Sequence, residues 1–179
     1  LSLPPQAGRV KRMIERTGAQ SILDYGAGKG RQYDVRNFKA GDGRVVWDND
    51  VYDFLTGDAP TSVHPSLWRQ SALAVKQGLY EVVEGIYQVR GLDLSNITFV
   101  EGDSGVIVID PLISTEVAAA ALALHREHRG ADRPVVAVIY THSHADHFAG
   151  VRGVTSQADV DAGKVTVLAP EGFTEHAVQ

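Results

Sequence analysis

The sequence predicts a mixed α/β fold of the α+β type, and three observations support this prediction. Three strand-like stretches that are separated by glycine turns occupy residues 81–89, 97–101 and 106–109. A stretch with helical periodicity covers residues 115–129. A fully apolar run at residues 134–140 has the character of a buried strand. We therefore expect antiparallel strands first, and then helix, strand, loop and strand.

The N-terminal part of the chain differs in character from the rest. A short helix is predicted at residues 10–16 and a strand at residues 20–25, which a glycine-rich turn follows. The next residues are polar and have no clear period. Turn signals at residues 41–43 mark a change in character. We therefore predict an N-terminal appendage at residues 1–42 and a main domain at residues 43–179.

A first helix of the main domain is predicted at residues 66–77. Pro65 suits its first turn, and Trp68, Ala72 and Val75 fall on one face. The glycine that follows this stretch can close the helix.

The long helix at residues 115–129 has stronger end signals. Ser114 can cap its first turn, and Glu116 favours the positive end of the helix dipole. Its predicted inner face consists of Val117, Ala121 and Leu124. After it, strands are predicted at residues 134–140 and 165–169.

A cluster of histidines follows the strand at residues 134–140. His142, His144, Asp146 and His147 place three imidazoles and one carboxylate within six positions. Neutral imidazole and carboxylate are ligands that zinc and related metals prefer. The alternative is a polar surface loop that happens to be rich in histidine. The spacing, the ligand types and the position directly after a strand favour a metal site.

The order His-x-His-x-Asp-His is the signature of the metallo-β-lactamase superfamily, and the chain resembles its linear alkyl sulfatases from about residue 41 to the end. The segments around Trp47 and Trp68 give the resemblance to this subfamily. The similar stretches are residues 43–48, 52–55, 64–70, 85–91, 93–96, 101–105, 108–111 and 140–150.

This resemblance implies the first half of an αββα metallo-β-lactamase sandwich, truncated, and a zinc-dependent hydrolase of alkyl sulfate esters such as dodecyl sulfate. It implies two zinc ions, the first held by His142 and His144 and the second by Asp146 and His147. Asp110 would support the metal loop from behind, although an ordinary Asp-Pro turn would explain the same residues. The resemblance also implies that intact family members can form homodimers.

The family draws further metal ligands, two glutamates and a histidine, from segments well downstream of the signature. Four ligands from one loop cannot complete two coordination shells. We therefore expect an N-terminal fragment of the family's domain, and the alternative to an enzyme is a non-catalytic truncated fragment.

Residues 21–33 resemble a different family, through motif I of the class I S-adenosylmethionine-dependent methyltransferases. There a strand that ends in an acidic residue, here Asp24, leads into a Gly-x-Gly-x-Gly turn. This resemblance implies a cofactor-binding module as an alternative function. An ordinary strand and turn without a cofactor is favoured, because one strand and one turn cannot enclose a ligand.

The remaining histidines are predicted to have structural or surface roles. His125 and His128 lie three positions apart on the long helix, where a solvated face is expected. His64 is predicted to cap or turn the chain before a helix. His176 is not expected to be a metal ligand.

Charge and composition exclude several classes of function. The net charge is −5 and the pI is about 5.8, so nucleic acid is not an expected partner. The absence of cysteine excludes disulfides and thiolate metal sites. No apolar run is long enough to span a bilayer, and the first residues lack the layout of a signal peptide. The expected partner is a small-molecule alkyl sulfate, and the compartment stays open.

Overall fold

The structure is a computed structural model that describes residues 31–32, 34–130 and 133–178. The helix predicted at residues 10–16 and the strand predicted at residues 20–25 lie outside the described residues. So does all of the methyltransferase-like segment except residues 31–32.

In this part of the chain the strands are β1 (Arg31–Gln32), β2 (Asn37–Lys39), β3 (Val45–Asp48), β4 (Gly78–Val83), β5 (Ile86–Arg90), β6 (Ile97–Glu101), β7 (Val106–Ile109), β8 (Val135–Ile139) and β9 (Thr166–Leu168). The helices are α1 (Pro65–Ala74), α2 (Thr115–Arg129), α3 (Gln157–Asp161) and α4 (Phe173–Ala177). Short 3-10 turns lie at Asp50–Tyr52, Ala145–His147 and Val151–Gly153.

One sheet organises the described residues, in the strand order β1-β4-β5-β6-β7-β8-β9. The pairs up to β7 are antiparallel, whereas β7–β8 and β8–β9 are parallel. A parallel pair needs a crossover connection, and α2 lies in the one between β7 and β8. Ile109 is in register with Ile139, so both strands end at the same edge of the sheet. This confirms the predicted order of antiparallel strands, helix, strand, loop and strand.

Helix α2 covers the sheet and forms as the sequence predicts. The Ser114 side chain accepts a hydrogen bond from the backbone N–H of Val117 at 3.2 Å, and Gly130 ends the helix with a φ of +101°. The predicted inner face is buried, and Ala118, Leu122 and His125 extend it. This face packs against β5 and β6, whose Ile97 and Phe99 have no exposed surface.

Two predicted elements have different bounds in the structure. The strand expected at residues 81–89 is a hairpin of β4 and β5, because Gly85 takes a φ of +80° and reverses the chain. Helix α1 ends at Ala74 and not at residue 77. The Gln77 side chain is instead hydrogen-bonded to both backbone groups of Val35, at 2.7 and 2.9 Å. His64 does cap this helix, since its Nδ1 accepts from Ser66 N at 3.2 Å.

The prediction of a solvated face at His125 is wrong. His125 is 1% exposed, stacks on Phe99 with ring centroids 4.6 Å apart, and lies 3.1 Å from a carboxylate oxygen of Glu101. Glu101 also binds Arg129. The helix therefore buries this histidine because the sheet supplies both an aromatic surface and a carboxylate. His128, one turn further on, is half-buried.

Strands β2 and β3 pair with each other as a separate hairpin. Their turn lies at the predicted boundary between residues 42 and 43, and the division into two domains stays a prediction. No helix among the described residues is long and apolar enough to cross a membrane.

Candidate metal centre

Asp110 and Thr141 join the ends of β7 and β8. Asp110 follows β7, and its Oδ1 accepts a hydrogen bond from Thr141 N at 2.8 Å. Its Oδ2 accepts from Thr141 Oγ1 at 2.6 Å. The backbone of Asp110 takes a φ of +55°, and that of Leu112 a φ of +61°. Left-handed conformations are uncommon in residues other than glycine, and such strained positions cluster at functional sites.

The same carboxylate fixes the orientation of His147. The Nδ1 of His147 lies 2.9 Å from Asp110 Oδ2. Because a carboxylate can only accept hydrogen bonds, we assign the ring proton to Nδ1. The Nε2 of His147 then carries a lone pair. A metal ligand histidine typically has this arrangement, with its other nitrogen donating to a carboxylate.

Thr141 links the Asp110 carboxylate to His142 and thereby favours one tautomer of this ring as well. The threonine hydroxyl has one proton, which it donates to Asp110. It can therefore only accept from the Nδ1 of His142, which lies 3.0 Å away. This leaves a lone pair on Nε2 of His142 as well. One carboxylate thus sets the tautomers of two of the predicted ligands.

The Nε2 of His147 faces another atom that carries lone pairs. Asp146 Oδ2 lies 3.3 Å from it, and Ser95 Oγ lies 3.3 Å from it. Ser95 Oγ donates to Asp146 Oδ2 at 2.6 Å. With the ring proton on Nδ1, the contact between Nε2 and Oδ2 brings two metal-ligand atoms together without a proton between them.

The three imidazoles of the loop form one cluster. The ring centroids of His142 and His144 are 4.6 Å apart, and those of His142 and His147 are 4.1 Å apart. The structure therefore brings all four predicted ligands to the edge of the sheet where β7 and β8 end. His144 immediately precedes the 3-10 turn Ala145–His147, which contains the other two predicted ligands, Asp146 and His147.

Two carboxyl groups near this cluster have shifted pKa values, in opposite directions. Burial raises the pKa of Asp93, although backbone N–H groups of Ile113 and Ser95 oppose the shift. Burial also acts to raise the pKa of Asp146. There the hydrogen bonds from Ser95 and from its own backbone, with the nearby His147, outweigh it, so the pKa of Asp146 lies below its ordinary value.

The donor types fit a zinc-like ion, whereas the coordination shell is incomplete. Imidazole nitrogens with free lone pairs and one carboxylate are the ligands that such an ion takes. Within the residues that the structure describes, no group of three or more His, Cys, Asp or Glu side chains is arranged to hold a metal ion. The loop therefore supplies suitable donors but not a closed site.

The sequence did not predict Ser95, which contacts the predicted ligand Asp146, or Asp93, which contacts Ser95. Ser95 and Asp93 lie in the loop between β5 and β6, about fifty positions before the ligands. Asp93 Oδ1 accepts from Ser95 N at 2.9 Å, and its Oδ2 accepts from Ile113 N at 3.0 Å. The one signal was their place in a segment shared with the alkyl sulfatases.

A groove of about 940 Å³ lies beside the loop between β5 and β6. Asp93 and Leu94, which precede Ser95 in this loop, are among the residues that line the groove. Its other walls are mainly apolar, and Phe54 and Leu67 are 63% and 60% exposed there.

Comparison with known proteins agrees with the signature. The model of the metallo-beta-lactamase superfamily matches residues 90–179, which include Asp110 and all four predicted ligands. The chain belongs to the metallo-β-lactamase superfamily. Membership implies metal ions as cofactors, and it agrees with the mixed α/β fold observed in the structure. The resemblance of residues 21–33 to methyltransferases is not borne out by the comparisons.

Three curated relatives are alkylsulfatases. A linear primary-alkylsulfatase from Pseudomonas sp is 59% identical over 138 residues, which cover 76% of this chain and 20% of the relative. An (R)-specific secondary-alkylsulfatase from Pseudomonas sp is 55% identical over 141 residues, or 78% of this chain and 21% of the relative. An alkyl/aryl-sulfatase from Saccharomyces cerevisiae is 49% identical over 138 residues, or 76% and 21%.

A solved structure is also similar over most of this chain. The stereoselective inverting sec-alkylsulfatase Pisa1 from Pseudomonas sp. superimposes with a TM-score of 0.76 at 46% sequence identity. The match covers 98% of this chain and 28% of that one. The chain thus spans about a fifth of the length of the curated relatives that it matches.

Proposed function

We propose that this chain carries part of the active site of a zinc-dependent hydrolase that cleaves alkyl sulfate esters. The observation that carries the proposal is that the Asp110 carboxylate contacts His147 Nδ1 directly and reaches His142 Nδ1 through Thr141. With the tautomers assigned from these contacts, both rings keep a lone pair on Nε2 that can bind a metal ion. The identity of 49–59% with alkylsulfatases supports the class of substrate.

We assign the metal ligands by this chemistry and by the family signature. His142 and His144 would hold one zinc ion, and Asp146 and His147 a second. When bound, such ions supply Lewis-acid polarisation of the ester and lower the pKa of water. Asp110 holds the rings through hydrogen bonds and would not touch the substrate. The incomplete shell means that each ion needs additional ligands besides these four.

The groove beside the loop supports a substrate with a long apolar chain. Its mainly apolar walls would contact the alkyl group, and Leu94 lies one residue from Ser95, which contacts Asp146. Burying apolar surface of a ligand is favourable by about 25 cal/mol per Å². The chain as a whole is acidic, so attraction for the sulfate would have to come from the metal ions and local cations.

Zinc binding is the first test. Zinc titration of the full 179-residue chain, followed by bound metal and circular dichroism, should show saturable binding that His142→Ala and His147→Ala weaken. His176→Ala is the matched control, because His176 is exposed in α4 and outside the cluster. An equal loss in all three variants, or no binding by the wild-type chain, would contradict the proposed ligands.

The substrate is tested separately. The zinc-loaded chain is incubated with dodecyl sulfate, and released sulfate is measured. Release that His147→Ala abolishes and His176→Ala does not would support the proposal. Zinc binding without release of sulfate would contradict hydrolysis by this chain and favour the alternative of a non-catalytic fragment.

We further propose that the chain forms homodimers through an open edge of its sheet. Among the residues that the structure describes, β9 is the last strand of the sheet, and Leu168 on it is 51% exposed. An edge strand offers unpaired backbone groups to another chain. Light scattering should give the mass of a dimer, and Leu168→Lys should shift it to a monomer. A wild-type monomer at high concentration would contradict this proposal.

A further inference from the structure

Ser95 lies at the meeting point of two predicted ligands. It is 6% exposed, in the loop between β5 and β6. Its hydroxyl donates to Asp146 Oδ2 at 2.6 Å and lies 3.3 Å from His147 Nε2. A hydroxyl has one proton, and Ser95 uses it in the bond to Asp146. This bond restricts rotation of the Asp146 carboxylate, because Oδ2 is the oxygen that accepts it. Ser95 thus constrains Asp146, whereas Asp110 constrains His147.

The position of Ser95 is itself held by Asp93. One carboxylate oxygen of Asp93 accepts from the backbone N–H of Ser95, and the other accepts from that of Ile113. Ile113 lies three residues after Asp110, on the same connection between β7 and α2. Asp93 therefore ties the loop of Ser95 to the segment that carries Asp110, and so links the two segments whose side chains contact the predicted ligands.

We propose that Ser95 is a positioning residue of the metal centre, which holds the Asp146 carboxylate in the orientation that a metal ion requires. This inference rests on the proposed function, because it assumes that Asp146 is a ligand. Without the Ser95 hydroxyl, Asp146 loses a short hydrogen bond and gains rotational freedom, which metal binding must then remove. Residues that orient metal ligands typically contribute about 10–100-fold to metal affinity.

The test compares zinc affinity in matched serine variants of the full chain. Ser95→Ala should raise the dissociation constant for zinc by about 10–100-fold. Ser95→Thr keeps the hydroxyl and should largely restore the affinity. Ser104→Ala is the control, because Ser104 is an exposed serine in the turn between β6 and β7. This variant should bind zinc like the wild-type chain.

A double-mutant cycle separates positioning from a general structural role. If Ser95 acts through Asp146, Ser95→Ala should have no further effect on zinc affinity in an Asp146→Ala background. Two effects that add in full would overturn the proposal. Ser95→Gly, which also lacks the hydroxyl, is the second variant in case Ser95→Ala does not fold. If neither Ser95→Ala nor Ser95→Gly folds, the proposal is contradicted, because the Ser95 hydroxyl is then required for folding of the chain.

The outcomes also distinguish this inference from the proposed function. If the wild-type chain and Ser104→Ala bind zinc and Ser95→Ala binds it as tightly, only the role of Ser95 is refuted. If the wild-type chain binds no zinc, the proposed metal site is refuted and the role of Ser95 falls with it.

Discussion

Replacing Asp110 with asparagine should disrupt the metal centre while leaving the backbone in place. The Asp110 carboxylate accepts three hydrogen bonds, two from Thr141 and one from His147 Nδ1. Asparagine tolerates the left-handed φ of +55° at this position, so the substitution adds little backbone strain. It does replace one of the two accepting oxygens with an NH₂ group, which can only donate.

Either orientation of the new amide disrupts at least one of these three hydrogen bonds. If its nitrogen takes the place of Oδ1, it faces the backbone N–H of Thr141 and one bond to a charged group is lost, worth about 1.5–3 kcal/mol. If its nitrogen takes the place of Oδ2, it faces both Thr141 Oγ1 and His147 Nδ1, and it favours the His147 tautomer with a proton on Nε2. In that tautomer Nε2 has no free lone pair, so His147 cannot bind a metal ion through this nitrogen. A loss of zinc affinity of about 10–100-fold corresponds to roughly 1.4–2.7 kcal/mol.

Three measurements test this prediction. Urea unfolding gives the change in stability, competition with a chelator gives the zinc affinity, and long-range proton–nitrogen NMR correlation shows which nitrogen of His147 carries the proton. Asp103→Asn is the matched control, since Asp103 is exposed in the turn between β6 and β7. An Asp110→Asn chain with the zinc affinity and the His147 tautomer of the wild type would refute the reasoning.

Two further predictions concern stability. Burial lowers the pKa of His125 below its ordinary value of 6.5, although Glu101 opposes the shift. Below pH 6.5 the His125 imidazole therefore binds a proton more readily in the unfolded chain than in the folded chain. The free energy of unfolding should therefore fall as the pH drops below 6.5, and His125→Gln should flatten that dependence in urea unfolding followed across pH. Gly153→Ala would place a Cβ 2.2 Å from the backbone oxygen of Thr115 and should cost about 1–3 kcal/mol in thermal unfolding. Gly41→Ala, with no atom within 4 Å, should cost far less, and equal losses would contradict the packing argument.

Two features that local sequence determines were predicted correctly. Helix α2 has its cap at Ser114, its apolar period and its terminal Gly130 within one continuous stretch, and the structure has the predicted bounds. The strand that precedes the histidine cluster is likewise one apolar run. By contrast, Val82 and Val83 precede Glu84 and Gly85, and Ile86 and Tyr87 follow them, so the predicted strand runs through the turn between β4 and β5.

The features that depend on distant residues were not predicted. His125 is buried because Glu101, 24 positions earlier, offers it a carboxylate. Ser95 and Asp146 meet across 51 positions. No local pattern reports such pairs, because they form only when the sheet brings separate loops to one edge. The four predicted ligands were recognisable because they lie within six positions, whereas the residues that orient them were not.

The parallel pairing of β7 with β8 also has a consequence for the order of events in folding. The hydrogen bonds between Asp110 and Thr141 cannot form until these two strands lie side by side, with α2 already looped across the sheet. Contacts that close so long a connection form slowly and late. We therefore expect zinc to bind a chain whose sheet is largely complete, and to slow unfolding rather than to speed up folding.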